Sequence, residues 1–369
     1  MKKPHIIAFY LPQFRPVKEN NKWFGEGFTE WTNVAKSRPL FKGHQQPRVP
    51  ADLGFYDLRL PEVREKQAEL AMEAGVSAFC YYHYWFGNGK KILHETLEEV
   101  VAEKKPDFPF CICWANHSWY KKNWNPDTRS LDQNLLIEQT YPGIEDIKSH
   151  FMYLLPMFRD RRYYKIDGRL VFSIYDFKGF KYFDIFKNIW NQMAKEYGLP
   201  GFYFLGYSAN VEDAKSSLFN NTDGVILSLV TAITNKKKYT KWMALKILVK
   251  SKLSRWLNYP IQLYSYKEAM PYMLDDVERN DNIIPVIVPN WDYTPRRGVG
   301  GLILRNATPD LFKEHVRQAL ELIKNKPSEK QIIFLKSWNE WGEGNYMEPD
   351  LVVGKGYIKA LHDALNEVM

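Results

Sequence analysis

The sequence predicts an α/β fold, namely a (β/α)8 TIM-type barrel with long loop insertions after its first and sixth strands. Short apolar runs alternate with longer charged stretches along the chain, a rhythm typical of β/α units and a parallel sheet. About eight such runs occur, as a closed barrel requires, and 369 residues is an ordinary length for a barrel with insertions. We expect one barrel over residues 1–369, with a basic insertion at 231–282 within it.

The eight candidate strands are apolar runs bounded by polar or turn-forming residues. They lie at residues 6–11, 77–84, 108–114, 170–175, 202–207, 224–229, 284–289 and 332–337. Helix-period patterns fill several gaps, and the C-terminal pattern would be the last barrel helix. These patterns lie at residues 60–74, 144–158, 183–196, 309–324 and 357–368.

The composition is that of a soluble globular protein, with 45% hydrophobic and 25% charged residues. Aromatic residues make up 15%, which fits either a large aromatic core or a cleft whose flat rings stack on sugar faces. Cys80, Cys111 and Cys113 lie inside apolar runs, so we expect small core residues rather than a disulfide framework or a zinc site. No cofactor or metal is expected.

The last candidate strand leads directly into Glu340 and Glu343, which lie among Trp338, Trp341 and two glycines. Packing does not explain such a strand end, and barrels place their chemistry at the C-terminal ends of strands. One carboxyl group can protonate a leaving oxygen while a second acts on the other reacting group, as glycosyl hydrolysis or transfer requires. The alternative is a helix N-terminal turn, which the flanking glycines disfavour. Glu340 and Glu343 are therefore the candidate catalytic residues.

Polar and aromatic residues also lie at the C-terminal ends of several other candidate strands. In a closed barrel these ends converge on one face, so the side chains become candidates for contacts with a sugar. Each has a structural alternative, such as a core histidine, a helix cap, a packed ring or a turn. The candidate substrate-binding residues are Tyr10, Gln13, His83, Trp85, Trp114, Asn116, His117, Asn290, Trp291, Asp292, Trp338 and Trp341.

The first long connection, residues 15–60, holds Trp23, Phe28, Glu30 and Trp31. Irregular segments of this length are uncommon unless they line a site. We therefore expect this insertion to fold over the barrel mouth.

The second long connection, residues 231–282, has eight basic and no acidic residues between Lys236 and Arg255, which equals the whole net charge of +8. Interleaved apolar residues predict an amphipathic basic helix over 236–256, which would either contact an anionic membrane, peripherally at the inner membrane, or turn its charged face to water. Nucleic-acid binding is not expected, because basic charge is otherwise scattered and no nucleic-acid motif occurs. The N-terminal apolar run is too short for a signal peptide and no stretch could span a bilayer, so a cytoplasmic location is expected.

Four stretches of the chain resemble the WbsX-type family of polysaccharide-cluster proteins, which are related to glycoside hydrolase family 99. They lie at residues 27–34 (GFTEWTNV), 50–59 (PADLGFYDLR), 79–86 (FCYYHYWF) and 338–344 (WNEWGEG). The resemblance therefore covers nearly the whole chain.

This resemblance implies a (β/α)8 barrel that acts on α-linked sugars with retention of configuration. In family 99 the two glutamates of the Asn-Glu-Trp-x-Glu-Gly motif are catalytic, and they fall on Glu340 and Glu343 here. The first acts as a base on the sugar's own 2-hydroxyl, which attacks the anomeric carbon to give a 1,2-anhydro sugar. The second serves as acid and then as base, and we expect apolar neighbours to raise the pKa of Glu343. The chemistry suits α-mannosides and α-rhamnosides, whose 2-hydroxyl lies trans to the leaving group.

One position departs from the family pattern. The Trp-Ala-Asn-Glu motif that is usual at the third strand ends in His117 in this chain. A neutral or titrating donor thus replaces an acidic side chain, which leaves both the substrate and the activity open.

Three functions remain open. The first is a retaining, metal-independent glycosidase acting on bacterial polysaccharide or oligosaccharide. The second is a glycosyltransferase of O-antigen or capsule biosynthesis that acts on lipid-linked oligosaccharide, although no Gly-rich phosphate loop follows a strand. The third is a non-catalytic glycan-binding barrel. A metal-dependent hydrolase using His83, His117 and Asp292 is a further alternative.

Overall fold

In a computed structural model, which describes residues 3–125, 130–236, 259–260 and 262–367, the chain forms a closed barrel of eight parallel strands. The barrel closes because the first strand pairs with both the second and the last, Ile7 with Ala78 and His5 with Ile332. The strands are β1 (His5–Tyr10), β2 (Ala78–Trp85), β3 (Phe110–Trp114), β4 (Arg169–Ile174), β5 (Phe202–Ser208), β6 (Gly224–Leu227), β7 (Ile283–Ile287) and β8 (Ile332–Leu335).

Each barrel strand coincides with one of the eight predicted runs, so the prediction of a (β/α)8 barrel is confirmed. The strands are buried on both faces, by the barrel interior on one side and by helices on the other. This is why they read as nearly continuous apolar runs instead of alternating patterns, and β2 is buried at all eight positions. The long connections after β1 and β6 are also present as predicted.

Helices between the strands form the outer layer of the barrel. The five predicted helices are confirmed to within two residues at each end. The helix before β8 begins where the Thr308 hydroxyl accepts a hydrogen bond from the Leu311 N–H, with Pro309 at its first position. In the described part of the chain the outer helices are α1 (Pro61–Ala74), α2 (Glu95–Glu103), α3 (Ile144–Phe158), α4 (Phe183–Glu196), α5 (Val211–Lys215), α6 (Pro309–Ile323) and α7 (Gly356–Asn366).

Aromatic side chains fill the barrel interior below the C-terminal ends of the strands. Phe9 stacks on Tyr82 with ring centroids 5.3 Å apart and contacts Phe334 at 5.1 Å and Tyr207 at 6.3 Å. The barrel is therefore a packed core and not a pore, and a ligand has room only above this layer. The three cysteines are free and buried, as predicted.

The connection between β1 and α1 folds across the C-terminal end of the barrel. It contains two short helices, Lys18–Phe24 and Glu30–Lys36. Trp31 anchors it, because its indole N–H donates to the Tyr56 carbonyl at 2.8 Å and its ring centroid lies 5.3 Å from that of Trp341. The expectation that this insertion covers the barrel mouth is confirmed.

A β-hairpin that the sequence did not predict follows β3. Its strands, Trp119–Asn125 and Ser130–Ile137, pair antiparallel. The predicted basic helix over 236–256 lies almost entirely outside the described residues, so it stays a prediction. Within the ranges that the structure describes, no helix is long and apolar enough to cross a membrane.

Candidate active site

A cavity of about 1020 Å³ opens at the C-terminal end of the barrel. It lies at the upper end of the roughly 300–1,000 Å³ typical of ligand sites, so it has room for an oligosaccharide. Residues from the strand ends form its floor, while the first insertion and the hairpin after β3 form walls. The floor includes Tyr82, Tyr84, Tyr175, Lys336, Glu340 and Glu343, and the walls include Phe24, Phe28, Glu30, Trp119, Tyr120 and Lys121.

Arg296 lies between the carboxylates of this cavity. It belongs to a short helix, Thr294–Arg297, that follows β7. Its Nη1 donates to Glu343 Oε1 at 2.5 Å and to Glu340 Oε1 at 3.3 Å, and its Nε donates to Glu30 Oε1 at 2.9 Å. One guanidinium group therefore joins the first insertion, the loop after β7 and the loop after β8.

Two glycines allow the Glu343 turn to lie directly against this arginine. A Cβ atom on Gly342 would lie 1.8 Å from Glu30 Oε1 and 2.9 Å from Arg296 Nε, so only glycine leaves space for that ion pair. Gly344 has a φ of +66°, and a Cβ atom there would lie 2.7 Å from the Asp292 backbone nitrogen. The two glycines that flank Glu343 are therefore explained by the close approach of neighbouring chain segments and not by a helix start.

The two candidate catalytic glutamates differ in their affinity for a proton. Burial and the charge of Glu343 raise the pKa of Glu340 to about 7, although Arg296 and Lys336 oppose this effect. Burial also acts to raise the pKa of Glu343, but Arg296, Lys336 and hydrogen bonds from Asn345 and Glu340 outweigh it and hold that pKa below its usual value. Between the lowered pKa of Glu343 and about pH 7 the pair therefore carries one proton, on Glu340. The expectation that Glu343 has the raised pKa is wrong, because a guanidinium group lies against it.

Four of the predicted site residues line the cavity: Gln13, His117, Glu340 and Glu343. Gln13 also supports the first insertion, since its carbonyl accepts a hydrogen bond from the Glu30 N–H at 3.0 Å. The exposed ring of His117 lies 5.7 Å from that of Tyr175.

Four other predicted residues lie on the outer face of the barrel and not in the cavity. The Tyr10 hydroxyl donates to Gln67 of α1 at 2.6 Å. His83 and Trp85 pack on α3, where His83 Nε2 lies 2.9 Å from His150 Nε2 and the Trp85 N–H donates to Asp146. The ring of Trp114 packs on phenylalanines of α4 and of the loop before it. Because side chains alternate along a strand, these residues face the helices while their neighbours face the cavity, which corrects their proposed sugar contacts.

Asn116, Asn290, Trp338 and Trp341 are buried beside the cavity without lining it. The Asn116 amide donates to the Asp176 carbonyl at 3.0 Å and its oxygen accepts from the Asp176 N–H. Asn290 accepts from the N–H of its own neighbour, residue 291. The indole N–H of Trp341 donates to a buried carboxylate, at position 348, at 2.6 Å. These side chains support the loops and do not contact the open space.

Asp292 and Trp291 also lie just outside the cavity lining. The Asp292 carboxylate accepts hydrogen bonds from His44 at 2.8 Å, Gln46 at 2.7 Å and Thr294 at 2.6 Å. Burial acts to raise the pKa of Asp292, but these donors hold it below its usual value. Asp292 thus ties the first insertion to the loop after β7. The ring of Trp291 lies 5.4 Å from the ammonium group of a cavity lysine, at position 336.

Sequence reasoning missed Arg296, Glu30 and Lys336 as site residues. Signals for two of them were present, since Glu30 lies in the GFTEWTNV stretch and Lys336 directly follows the last strand. Arg296 lies four residues after Asp292, but nothing local distinguished it from its neighbour Arg297. Among the described residues, no group of three or more His, Cys, Asp or Glu side chains could hold a metal ion.

The fold and the cavity define a (β/α)8-barrel protein with a carboxyl pair at the C-terminal ends of its strands. By sequence, the family described as "Glycosyltransferase WbsX" matches residues 6–361, so the chain belongs to the WbsX family.

Comparisons with individual proteins agree with this placement. The uncharacterized protein WxcX of Xanthomonas campestris pv. campestris (strain B100) is 33% identical over 363 residues, which are 98% of this chain and 49% of that protein. The chain therefore spans about half the length of this curated relative.

Two solved structures share the fold. A family 99 endo-α-mannosidase from Bacteroides thetaiotaomicron is 17% identical with a TM-score of 0.54, over 99% of this chain and 97% of that one. A structure described as a glycoside hydrolase-like protein is 15% identical with a TM-score of 0.59, over 99% and 94%.

Proposed function

We propose that this protein is a retaining glycosidase, similar to those of glycoside hydrolase family 99, that acts on α-linked manno- or rhamno-configured bacterial glycan. The observation that supports this most is that Glu340 and Glu343 both place an oxygen within 3.3 Å of one nitrogen of Arg296. Two oxygens bound to one nitrogen are closer together than the roughly 6.5–9.5 Å that separates the carboxyl groups of inverting enzymes. Their separation favours retention of configuration.

In this proposal the 2-hydroxyl of the sugar attacks the anomeric carbon. Glu340 takes the hydroxyl proton, a bond from O2 to the anomeric carbon forms, and the bond to the leaving oxygen breaks as Glu343 protonates that oxygen. Water then opens the resulting 1,2-anhydro sugar, with Glu343 as base and Glu340 returning the proton to O2. In the substrate-free cavity, Oε2 of Glu340 is buried and has no hydrogen-bond partner among the described residues, so its capacity to accept a hydrogen bond is unused.

These roles require the proton to move before the reaction begins. In the substrate-free cavity the proton lies on Glu340, whereas the proposed acid is Glu343. A sugar that displaces Arg296 from Glu343 would raise the pKa of Glu343, since a cation beside a carboxylate lowers its pKa. Glu340 and Glu343 each bind Nη1 of Arg296, so the proton has only a short distance to travel between them.

Aromatic side chains would hold the glycan over this pair. Tyr82, Tyr84 and Tyr175 lie at the floor, and Phe28 and Trp119 lie in the walls. Flat rings of this kind pack against the apolar faces of pyranoses. Gln13 and His117 are the cavity residues that we propose to hydrogen-bond sugar hydroxyls.

The test is incubation with α-mannoside and α-rhamnoside oligosaccharides, followed by assay of new reducing ends and by NMR of the first-formed anomer. We expect product with retained configuration. A first-formed product with inverted anomeric configuration would reject the mechanism through a 1,2-anhydro sugar.

A glycosyltransferase is the second candidate, and the description of the family favours it. Under this alternative the same cavity would pass a glycosyl group from an activated donor to an oligosaccharide acceptor. Incubation with nucleotide sugars and lipid-linked acceptor separates the two functions, because only the transferase releases nucleotide in step with acceptor elongation.

A further inference from the structure

Lys336 is a buried cation at the floor of the cavity that forms no ion pair with a carboxylate of the described residues. The residue directly follows β8, is 5% exposed and lines the cavity. Its Nζ lies 5.7 Å from the ring centroid of Tyr175, 5.6 Å from that of Tyr207 and 5.4 Å from that of Trp291. In the ranges of chain that the structure describes, this Nζ makes neither a hydrogen bond nor an ion pair.

These surroundings offer the ammonium group of Lys336 no hydrogen-bond acceptor among the described residues. Lysine has three N–H donors, and burial without acceptors is costly even where ring faces offset part of the loss. The group nevertheless stays charged: burial lowers the pKa of Lys336, but Tyr175, Tyr207 and the two nearby glutamates outweigh burial and leave that pKa well above its usual range. The side chain borders open space only on the cavity side, where a bound anion would supply the missing acceptors.

The three carboxylates of the cavity form their ion pairs with Arg296 and none with Lys336: Glu30, Glu340 and Glu343 all bind the guanidinium group. At the rim, the exposed Arg297 lies 5.1 Å from a tyrosine ring and forms no ion pair with any described residue. With Glu340 protonated, the basic side chains that line the cavity outnumber the acidic ones. The electrostatic field of the cavity therefore favours an anionic ligand.

We propose that the glycan bound in this cavity carries an anionic substituent, either a carboxylate or a phosphate group, and that Lys336 is the residue that binds it. The proposal names the substrate class of the glycosidase function proposed above and rests on it, but anion binding can be measured without turnover. Because Lys336 lies on the same loop as the carboxyl pair, the charged group would belong to a sugar at or next to the cleaved linkage. A hydroxyl of a neutral sugar could fill the space, but a hydrogen bond from an ammonium group to an anionic oxygen is roughly twice as strong as one between neutral groups.

The first experiment measures dissociation constants by ligand-observed NMR for glucose, glucuronate, glucose 1-phosphate and uridine diphosphate. We expect glucuronate or glucose 1-phosphate to bind at least tenfold more tightly than glucose, and whichever anion binds more tightly identifies the substituent. Tighter binding of uridine diphosphate than of either sugar anion would overturn the proposal in favour of a nucleotide-binding cavity. Equal affinity for glucose and both sugar anions, or no binding of any of them, also overturns it.

Two variants of the same lysine and one control test the assignment of the residue. Lys336→Met should abolish the preference for the anion, whereas Lys336→Arg, which keeps the charge, should retain most of it. Lys330→Met is the matched control, because Lys330 also lies against a tyrosine, Tyr203, but at the opposite end of β8. If Lys336→Met keeps the preference while its melting temperature matches that of Lys330→Met, the assignment is wrong.

Turnover separates this proposal from the proposed function. The substrates are bacterial polysaccharides that contain uronic acids, each compared with its carboxyl-reduced form. Anion binding that depends on Lys336 without turnover of any form supports the anion site and rejects the glycosidase. Equal turnover of native and reduced forms supports the glycosidase and rejects the carboxylate at the cleaved site.

Discussion

Glu343 accepts a hydrogen bond of 2.5 Å from Nη1 of Arg296. This contact links the residue proposed to protonate the leaving oxygen to a guanidinium group that cannot lose its own proton. A carboxylate held in this way stays ionised, so under the proposed mechanism the substrate-free protein is not yet poised for the first step. We therefore expect the arginine to favour the proton on Glu340 over Glu343, and this expectation can be measured.

Replacing Glu343 by Gln should lower kcat/KM on natural glycan by roughly 10²–10⁴-fold, the usual contribution of general acid–base catalysis. The amide keeps the shape of the side chain but cannot transfer a proton. Aryl glycosides with good leaving groups should retain much of the rate of the first step, because departure of such groups needs no acid. The same substitution at the exposed Glu329 controls for nonspecific effects. Near-normal rates on natural glycan, with an unchanged melting temperature, would reject the role of Glu343.

The pH dependence of kcat/KM should follow the one-proton form of the pair. Activity should fall above about pH 7, where Glu340 loses its proton. The acidic limb should lie below the usual range for a glutamate, because Arg296 lowers the pKa of Glu343. Replacing Arg296 by Gln removes a cation that favours both carboxylates, so both limbs should move to higher pH.

Arg297→Gln is the matched control for the pH profile, since Arg297 forms no ion pair with the carboxyl pair among the described residues. The two limbs of the pH profile of this variant should stay at the pH values of the natural protein, even if its kcat/KM changes. Limbs that are unmoved in the Arg296 variant would show that the arginine does not set the protonation of the pair.

The architecture could be predicted from the sequence because its signals are local. Each barrel strand is an apolar run of its own, and each predicted helix shows its own periodicity. The hairpin at residues 119–137 was missed because its first strand mixes lysines and asparagines with aromatics and has no apolar run. Trp119, Tyr120 and Lys121 at the start of that strand line the cavity and do not belong to the buried core, so no apolar run marks them in the sequence.

The site was only partly predictable, for two physical reasons. A strand end can be recognised from composition, but the face that each residue takes depends on the register of the strand. In β2 the side chains of Tyr82 and Tyr84 reach the cavity while those of His83 and Trp85 face α3. The contact between Arg296 and Glu30 joins residues 266 positions apart, and no local pattern predicts such a pair.

Replacing Gly342 by Ala should disrupt the site and destabilise the fold. The new methyl group would overlap Glu30 Oε1, and inserting a methyl group into a packed region typically costs about 1–3 kcal/mol. The free energy of unfolding in urea and kcat/KM should both fall. Gly300→Ala is the control for stability, because a Cβ atom there meets no atom within 4 Å. Adding Glu30→Ala should restore stability but not activity, and failure to restore it would place the clash elsewhere.

Glu278 provides a test of stability away from the cavity. It is fully buried, and its Oε1 has no hydrogen-bond partner among the described residues. Its other oxygen accepts from the Asp275 N–H at 2.8 Å. Burial raises the pKa of Glu278 to about 8; the Asp275 N–H and the charge of Lys326 oppose this shift, and the charge of Asp275 adds to it.

Because the pKa of Glu278 is higher in the folded than in the unfolded chain, the folded state binds the proton more tightly. The resulting stability is fully present below the ordinary pKa of a glutamate and is lost as the pH rises towards about 8. Glu278→Gln keeps the acceptor oxygen and cannot ionise, so its advantage over the natural protein should grow with pH. The growth should be on the order of 1.4 kcal/mol per pH unit at most.

Urea unfolding of both proteins at pH 5, 6, 7 and 8 measures this effect as a difference, which cancels the contributions of the other buried carboxyl groups. Glu329→Gln, at an exposed position, should show no such trend. A difference between the Glu278 variant and the natural protein that stays constant across the series would mean that the buried carboxyl is already ionised at pH 5. In that case Lys326, whose own pKa burial lowers to about 8, would have to be its charge partner.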